Sequence, residues 1–244
     1  MSERCAIILL GPPGSGKTTL GRSLSRRAPI SVIEVGVLLA REAQKTTPLG
    51  RKLSKYIFSG TLAPMHLVHP IISRELKAIR DRPILFDGIP RASSQIEAFF
   101  ELLKCHDLRI CAVLVLHLDL PNALLRLSGR RVCSRCGRLY NMGSDSLKLP
   151  GSCDDCKGEL IQRMDDREIV IHKRFNRFGR QTAPVINFFK KKFGSLVIEE
   201  DASLPGRQIM QRIWRRLRPL LILPKNARTI QEGGDMPAFL QSVD

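Results

Sequence analysis

Short apolar runs recur along the chain, separated by longer segments in which apolar residues fall at helical spacing. Ala6–Leu10, Ser31–Val35, Pro83–Phe86, Ile110–Leu116 and Leu196–Ile198 are each rich in β-branched or large aliphatic residues and too short to be helices. Such alternation predicts an α/β fold: a five-stranded parallel sheet with helices on both faces. Two segments break the rhythm. From Glu34 to Ala63, Val37–Leu39 together with Leu49, Leu53 and Ile57 keep near-helical spacing, punctuated by Pro48 and Gly60, which predicts a small helical lobe. From about Gly129 to Asp166 the chain is rich in Gly and Cys and has little apolar period, so this part needs a source of stability other than a core. Towards the end, Ile209, Met210, Ile213, Trp214 and Leu217 line one side of a helix, with Arg212, Arg215, Arg216 and Arg218 largely off that stripe. Pro219 is expected to end this helix, and the tail from Leu220 to Asp244 shows no strong period and is expected to be mobile.

Between the first strand and the helix over Thr19–Arg27 lies Gly11-Pro-Pro-Gly-Ser-Gly-Lys-Thr18. It fits G-x-x-x-x-G-K-[ST], in the strand–loop–helix context that the pattern needs. Gly11, Gly14 and Gly16 let successive backbone N–H groups converge, the helix N-terminus adds partial positive charge, and Lys17 adds a full one. Thr18 supplies a hydroxyl of the kind that reaches Mg²⁺. The stretch points to binding of a nucleoside triphosphate.

Seven cysteines, an odd number, argue against a full disulfide framework. Cys133-x₂-Cys136 and Cys153-x₂-Cys156 lie sixteen residues apart, the spacing of a zinc ribbon. Four thiolates leave no open coordination position, so the expected Zn²⁺ is structural. Its binding energy, of order ~10–16 kcal/mol in isolated finger peptides, could organise a lobe poor in core residues. Cys5, Cys105 and Cys111 sit in or beside apolar runs and read as ordinary buried thiols.

At 244 residues and 43% hydrophobic, the chain can bury one sizeable core with small appended lobes. The N-terminal apolar run leads straight into the phosphate loop and does not resemble a signal peptide, and no stretch reaches the ~20 apolar residues of a bilayer span. A cytoplasmic protein without a membrane partner is expected. The formal charge of +17 suits polyanions, nucleotides among them. Aromatic content of 5% is poor material for base stacking, so nucleic acid is not expected as a partner.

With these features placed, residues 5 to 218 resemble the adenylate kinase family, in its longer bacterial type with a zinc-bearing lid. The resemblance is carried by the phosphate loop, by Phe86-Asp-Gly-Ile-Pro-Arg91 with Gln95, and by Gly129-Arg-Arg-Val-Cys-x₂-Cys-Gly-Arg-Leu-Tyr-Asn141. Leu160-Ile-Gln-Arg-Met-Asp-Asp166, Arg174 and Gln181-Thr-Ala-Pro184 complete it. It implies a P-loop core (1–33, 64–128 and 167–219), a monophosphate-binding lobe (34–63), a zinc-bearing lid (129–166) and a C-terminal tail (220–244). It implies a monomer that reversibly transfers the γ-phosphoryl group of MgATP to a nucleoside monophosphate, AMP in the first instance.

Position by position, the resemblance implies ATP contacts from Gly11, Gly14, Ser15, Gly16, Lys17, Thr18 and Thr19, with Leu139 and Tyr140 holding the base. Asp87 would position Mg²⁺ through its waters. Gly88, Arg91 and Gln95 would hold the acceptor. Arg126, Arg130, Arg163 and Arg174 would converge on the transferring group, Arg163 and Arg174 also facing the acceptor. The chain departs from the family in one stretch. Where the family has Ser-Thr-Gly-Asp/Glu-x-Leu-Arg, this chain has Glu34-Val-Gly-Val-Leu-Leu-Ala40. Val35, Val37 and Ala40 replace the threonine, the acid and the arginine. Arg41 comes one residue late, a turn of ~100° on a helix. A later acidic residue is likewise missing from Ala63-Pro-Met-His66. The departures leave two alternatives open, a same-family phosphotransferase with another or broader acceptor, and a non-enzymatic ATP and zinc-ribbon module that binds RNA or protein.

Overall fold

The computed structural model describes residues 4–59, 61–79, 81–143 and 147–221. Five parallel strands form the central sheet: β1 (Arg4–Leu10), β2 (Ser31–Glu34), β3 (Ile84–Asp87), β4 (Leu108–His117) and, near the end of the chain, Val197–Asp201. A second, antiparallel sheet is built from β5 (Arg130–Cys133), β6 (Leu139–Asn141) and β7 (Leu160–Ile161), so the last strand of the large sheet is β8. The large sheet runs β2-β3-β1-β4-β8. Its central strand alternates cleanly. Ala6, Ile8 and Leu10 join one buried cluster, and Ile7 and Leu9 join the cluster on the opposite face. Burial on both faces is why the strand reads as an unbroken apolar run.

Nine helices are described: α1 (Lys17–Arg27), α2 (Val35–Ala43), α3 (Pro48–Ser59), α4 (Met65–Ala78), α5 (Ile96–Cys105), α6 (Leu120–Ser128), α7 (Glu168–Arg177), α8 (Ala183–Phe193) and α9 (Gly206–Leu221). Residues from α4, α5 and α8 fill the first cluster, where Phe86 meets Phe99 edge to face. Leu20 and Leu24 of α1 with Ile209, Ile213 and Leu217 of α9 fill the second. Helices α2 and α3 form the expected helical lobe. Leu53 is its deep anchor, and Glu42 of α2 is buried between Lys45 (2.7 Å) and Arg74 of α4 (2.9 Å).

Three expectations are corrected. Val35 does not end a strand; it opens α2, because its side chain is buried in the first cluster while the backbone already turns. Pro219 does not end α9, which runs two residues further. Proline removes one hydrogen bond near a terminus, and Leu220 and Leu221 still pack on the second cluster. Cys5 and Cys111 are not free thiols. A register shift on β1 pairs Ala6 with Ile110 and Ile7 with Ala112, so Cys111 is the extra residue of the bulge. It lies against Cys5, with the Cα atoms 5.5 Å apart, and the two are disulfide-bonded. Cys105 is free but exposed, as the last residue of α5. The tail beyond Leu221, and Gly60, lie outside the described residues.

Candidate active site and cysteine cluster

The C-terminal ends of β1 and β3 set the centre of the site. Because Leu9 pairs with Asp87, the loop after β1 and the loop after β3 emerge side by side. The first wraps into α1, which has no capping side chain and no acid in its first turn, leaving its N–H groups for a ligand. Lys17 Nζ donates to the carbonyls of Gly11 and Pro12, both at 2.7 Å, and Ser15 Oγ donates to Pro12 O at 2.8 Å. Thr18 Oγ1 donates to Asp87 Oδ2 at 2.6 Å, joining the two loops across the sheet. A hydroxyl and a carboxylate paired at the edge of a phosphate loop are the oxygen ligands that suit Mg²⁺.

Arg91 reaches back over the second loop. Its Nε donates to Gly88 O at 2.6 Å, and its guanidinium lies where a Cβ on Gly88 would stand, at a backbone φ of 82°. Glycine is required there on both counts. Arg91 N donates to Gln95 Oε1 (2.8 Å), Gln95 Nε2 donates to Ala63 O (3.2 Å), and Thr182 Oγ1 donates to Arg91 O (2.8 Å). Gln95 is thereby tied by both ends of its amide to the protein, within a buried position.

A second group of arginines comes from the cysteine-bearing lobe and α7. Arg130 forks onto Asp166 (2.7 and 2.5 Å), and Arg163 forks onto Asp165 (2.8 and 2.7 Å). Arg174 bridges both acids, at 3.1 Å from Asp165 and 3.4 Å from Asp166. Burial alone would raise the Asp165 carboxyl, but Arg174 and Arg163 hold it below the usual range. Lys17 shows that the two groups of arginines share one field. Burial pulls its pKa down to about 7; Asp87 opposes that, and Arg91, Arg174 and Arg130 add to it. Arg91 and Arg174 are themselves lowered by burial, with Asp87 and Asp165 respectively opposing. Such a concentration of positive charge, with Lys17 and Arg174 half-buried and Arg91 still open to solvent, calls for an anion.

Not every residue expected at the site joins it. Arg126 is turned toward Ser203 O (3.4 Å), away from the Asp165–Asp166 network. Tyr140 is buried with its hydroxyl 3.3 Å from Cys153 Sγ and accepting from Asp154 N at 2.8 Å. Its ring thus belongs to the interior of the small lobe, while Leu139 beside it is half-buried and Thr19 is exposed on α1. Asp165, Asp166 and Thr182 stand inside the motifs, but the sequence alone assigns them no role; the two consecutive acids among Arg163, Arg167 and Arg174 are the available signal.

The Sγ atoms of Cys133, Cys136, Cys153 and Cys156 all lie within 4.8 Å of one another. Cys133 to Cys156 is 3.3 Å and Cys136 to Cys153 is 3.6 Å. Tetrahedral Zn²⁺ with ~2.3 Å bonds needs sulfur separations of about 3.8 Å, so the four thiols fit the ion. The two turns repeat each other: Gly137 N donates to Cys133 O at 3.0 Å, and Lys157 N donates to Cys153 O at 2.9 Å. Residues 137 and 157 both adopt positive φ, 71° and 59°.

A phosphate loop at the switch between β1 and β3, an Asp–Thr pair beside it and arginines on two sides of it define a P-loop phosphotransferase. The adenylate kinase family model matches residues 9–193. The chain is 35% identical over 223 residues to an adenylate kinase of Pyrococcus horikoshii, covering 91% of this chain and 98% of that protein. It is 34% identical to the adenylate kinase of Pyrococcus furiosus over 220 residues, 90% and 97% of the two chains. It is 35% identical to that of Moorella thermoacetica over 212 residues, 86% and 97%. The chain belongs to the adenylate kinase family and is a phosphotransferase with a zinc-binding Cys₄ cluster. Among the described residues no helix is long and apolar enough to cross a membrane.

Proposed function

We propose that the protein catalyses reversible transfer of the ATP γ-phosphoryl group to a nucleoside monophosphate, with AMP as the principal acceptor. The observation that carries this reading is the shared field of Lys17, Arg91, Arg130 and Arg174 around the phosphate loop. Phosphoryl transfer asks little covalent chemistry of a protein; it asks for two phosphates in line, kept from water and surrounded by positive charge.

In this reading Lys17 and the loop N–H groups hold the β- and γ-phosphates of ATP. Lys17 Nζ leaves the carbonyls of Gly11 and Pro12 to do so. Thr18 and Asp87 would hold Mg²⁺, directly or through water; the ion neutralises phosphate charge and orients the γ-group when bound. Gly88 opens the space that Arg91 needs to grip the acceptor's phosphate, and Gln95 faces the base from a position fixed by Arg91 N and Ala63 O. Arg130, Arg163 and Arg174 exchange their carboxylate partners in part for phosphate oxygens as 129–166 closes as a lid. Closure keeps water from competing as acceptor. Residues 34–63 form the acceptor lobe and the remaining described chain the core.

One observation favours a broader acceptor range. From Val35 to Ala40 the chain carries no polar side chain, yet Gly36 lies next to Arg91, a Cβ there falling 3.9 Å from Nη2. The phosphate clamp therefore borders a surface without groups to read a base. A coupled assay with MgATP and each of AMP, GMP, CMP, UMP and dTMP tests the proposal. AMP turnover supports it, and ATP binding with no transfer to any of them rejects it.

A further inference from the structure

The charge of +17 is not explained by the cleft, and along one side of α9 four exposed arginines gather with no acidic partner among the described residues. On α9, Arg207, Gln211, Trp214 and Arg218 follow one another at spacings of four, three and four residues, which places them on a single line along the helix. Arg215 borders that line. The end of α1 packs beside it, where the Arg27 guanidinium lies 5.3 Å from the Trp214 ring centroid. Arg27, Arg207, Arg215 and Arg218 are exposed, and among the described residues none has a carboxylate within ion-pair distance. The other two arginines of the helix, Arg212 and Arg216, turn toward Glu200 on the far side.

We propose that this ridge binds RNA through its phosphate backbone. Every cation on it is arginine. The planar guanidinium grips a phosphate with two parallel hydrogen bonds, where an ammonium offers a point charge. The line spans about 16 Å, the rise of roughly five stacked nucleotides at ~3.4 Å each. The Arg27–Trp214 pair in its middle offers a flat cationic surface on which an unpaired base can stack. An anionic membrane fits less well. The apolar side of α9, with Ile209, Ile213 and Leu217, is buried in the second core cluster and cannot insert into lipid. The ridge also lies apart from the phosphate loop: α1 begins at the loop, and Arg27 is at its other end. This is a departure from the expectation set by low aromatic content, since backbone binding needs few aromatics.

The test is fluorescence anisotropy of the full chain with a labelled 20-nucleotide single-stranded RNA, over a range of salt. It compares wild type with Arg207→Glu/Arg215→Glu/Arg218→Glu. Lys77→Glu/Lys104→Glu/Lys191→Glu serves as an equal charge change on exposed lysines elsewhere. Melting temperatures confirm that both variants are folded. The ridge variant should bind at least tenfold more weakly and lose about two from the slope of log K against log salt, at ~0.7 per phosphate contact. The lysine variant should stay within about threefold of wild type. Equal weakening in both variants would assign binding to net charge and overturn the proposal. So would absence of RNA binding in the wild type, or preference for phosphatidylserine vesicles over RNA.

Discussion

The donor and acceptor sides of the cleft are built in opposite ways. On the donor side each polar group is held by a named partner: Lys17 by loop carbonyls, Thr18 by Asp87, Arg130 by Asp166 and Arg163 by Asp165. On the acceptor side Arg91 is held as firmly, but the first turns of α2 beside it present Val37 and Ala40 to solvent and bury Val35. In the proposed function these partners hold each cation near its working position until phosphate oxygens replace them, so that little reorganisation is left for the transfer itself. The acceptor side, in the same reading, keeps Arg91 for the phosphate and Gln95 beside the base, while the stretch from Val35 to Ala40 adds no polar side chain with which to select.

The largest way to break that contrast is Lys17→Ala. It removes a charge from the donor phosphates without touching either core cluster. Turnover should fall by at least about 10²–10³, with circular dichroism unchanged. Wild-type turnover would remove the phosphate loop from the mechanism. Next is the metal. Elemental analysis should find about one zinc per chain, and Cys136→Ser/Cys153→Ser should abolish it. Proteolysis should then cut within 129–166 before the core yields, since that lobe's buried cluster is small. Metal-free wild type with unaltered protease resistance would contradict a structural ion.

Ala40→Arg sharpens the comparison directly. An added hydrogen bond to a charged phosphate contributes ~1.5–3 kcal/mol, so the Michaelis constant for AMP should fall by about one to two powers of ten. An unchanged constant would mean that Arg41 already fills the role. A smaller effect concerns protons. With its pKa at about 7, Lys17 in the free protein is largely neutral above that pH, and triphosphate charge restores its proton. ATP binding should therefore take up a growing fraction of one proton between pH 6 and 8, with affinity falling as pH rises. Calorimetry in buffers of different ionisation enthalpy reads this, and pH-independent binding without proton uptake contradicts it. Smallest is Lys157→Gly. The two cysteine turns differ in that one uses Gly137 and the other a lysine at φ 59°. Glycine there should stabilise the lobe by about 0.5–1 kcal/mol, after allowing for its greater freedom when unfolded. A lower melting point would show that the Lys157 side chain contributes packing.

Much of this was legible before any fold was known, for a physical reason. A phosphate loop, a Cys-x₂-Cys turn and a buried parallel strand are local devices, in which neighbours in sequence cooperate through backbone geometry. The sheet, the helical lobe and the four cysteines are read from such devices. What stayed hidden depends on which segments the topology brings together. Glu42 meets Arg74 across 32 residues, Arg130 meets Asp166 across 36, and Cys5 meets Cys111 across 106 at a bulge. The resemblance implies Arg126 at the transferring group, and here its guanidinium donates to Ser203 O at 3.4 Å, a contact 77 residues away. Tyr140, read with it, is an interior residue of the zinc lobe because its hydroxyl serves Cys153 and Asp154.

The central claim is that a fixed donor site is coupled to an acceptor site holding phosphate but reading the base poorly. The most direct measurement is the steady-state comparison of AMP, GMP, CMP, UMP and dTMP at saturating MgATP. The account predicts transfer to AMP with a high Michaelis constant, and kcat/KM for the other acceptors within about two powers of ten of it. Tight binding of AMP with no measurable transfer to the others would contradict it.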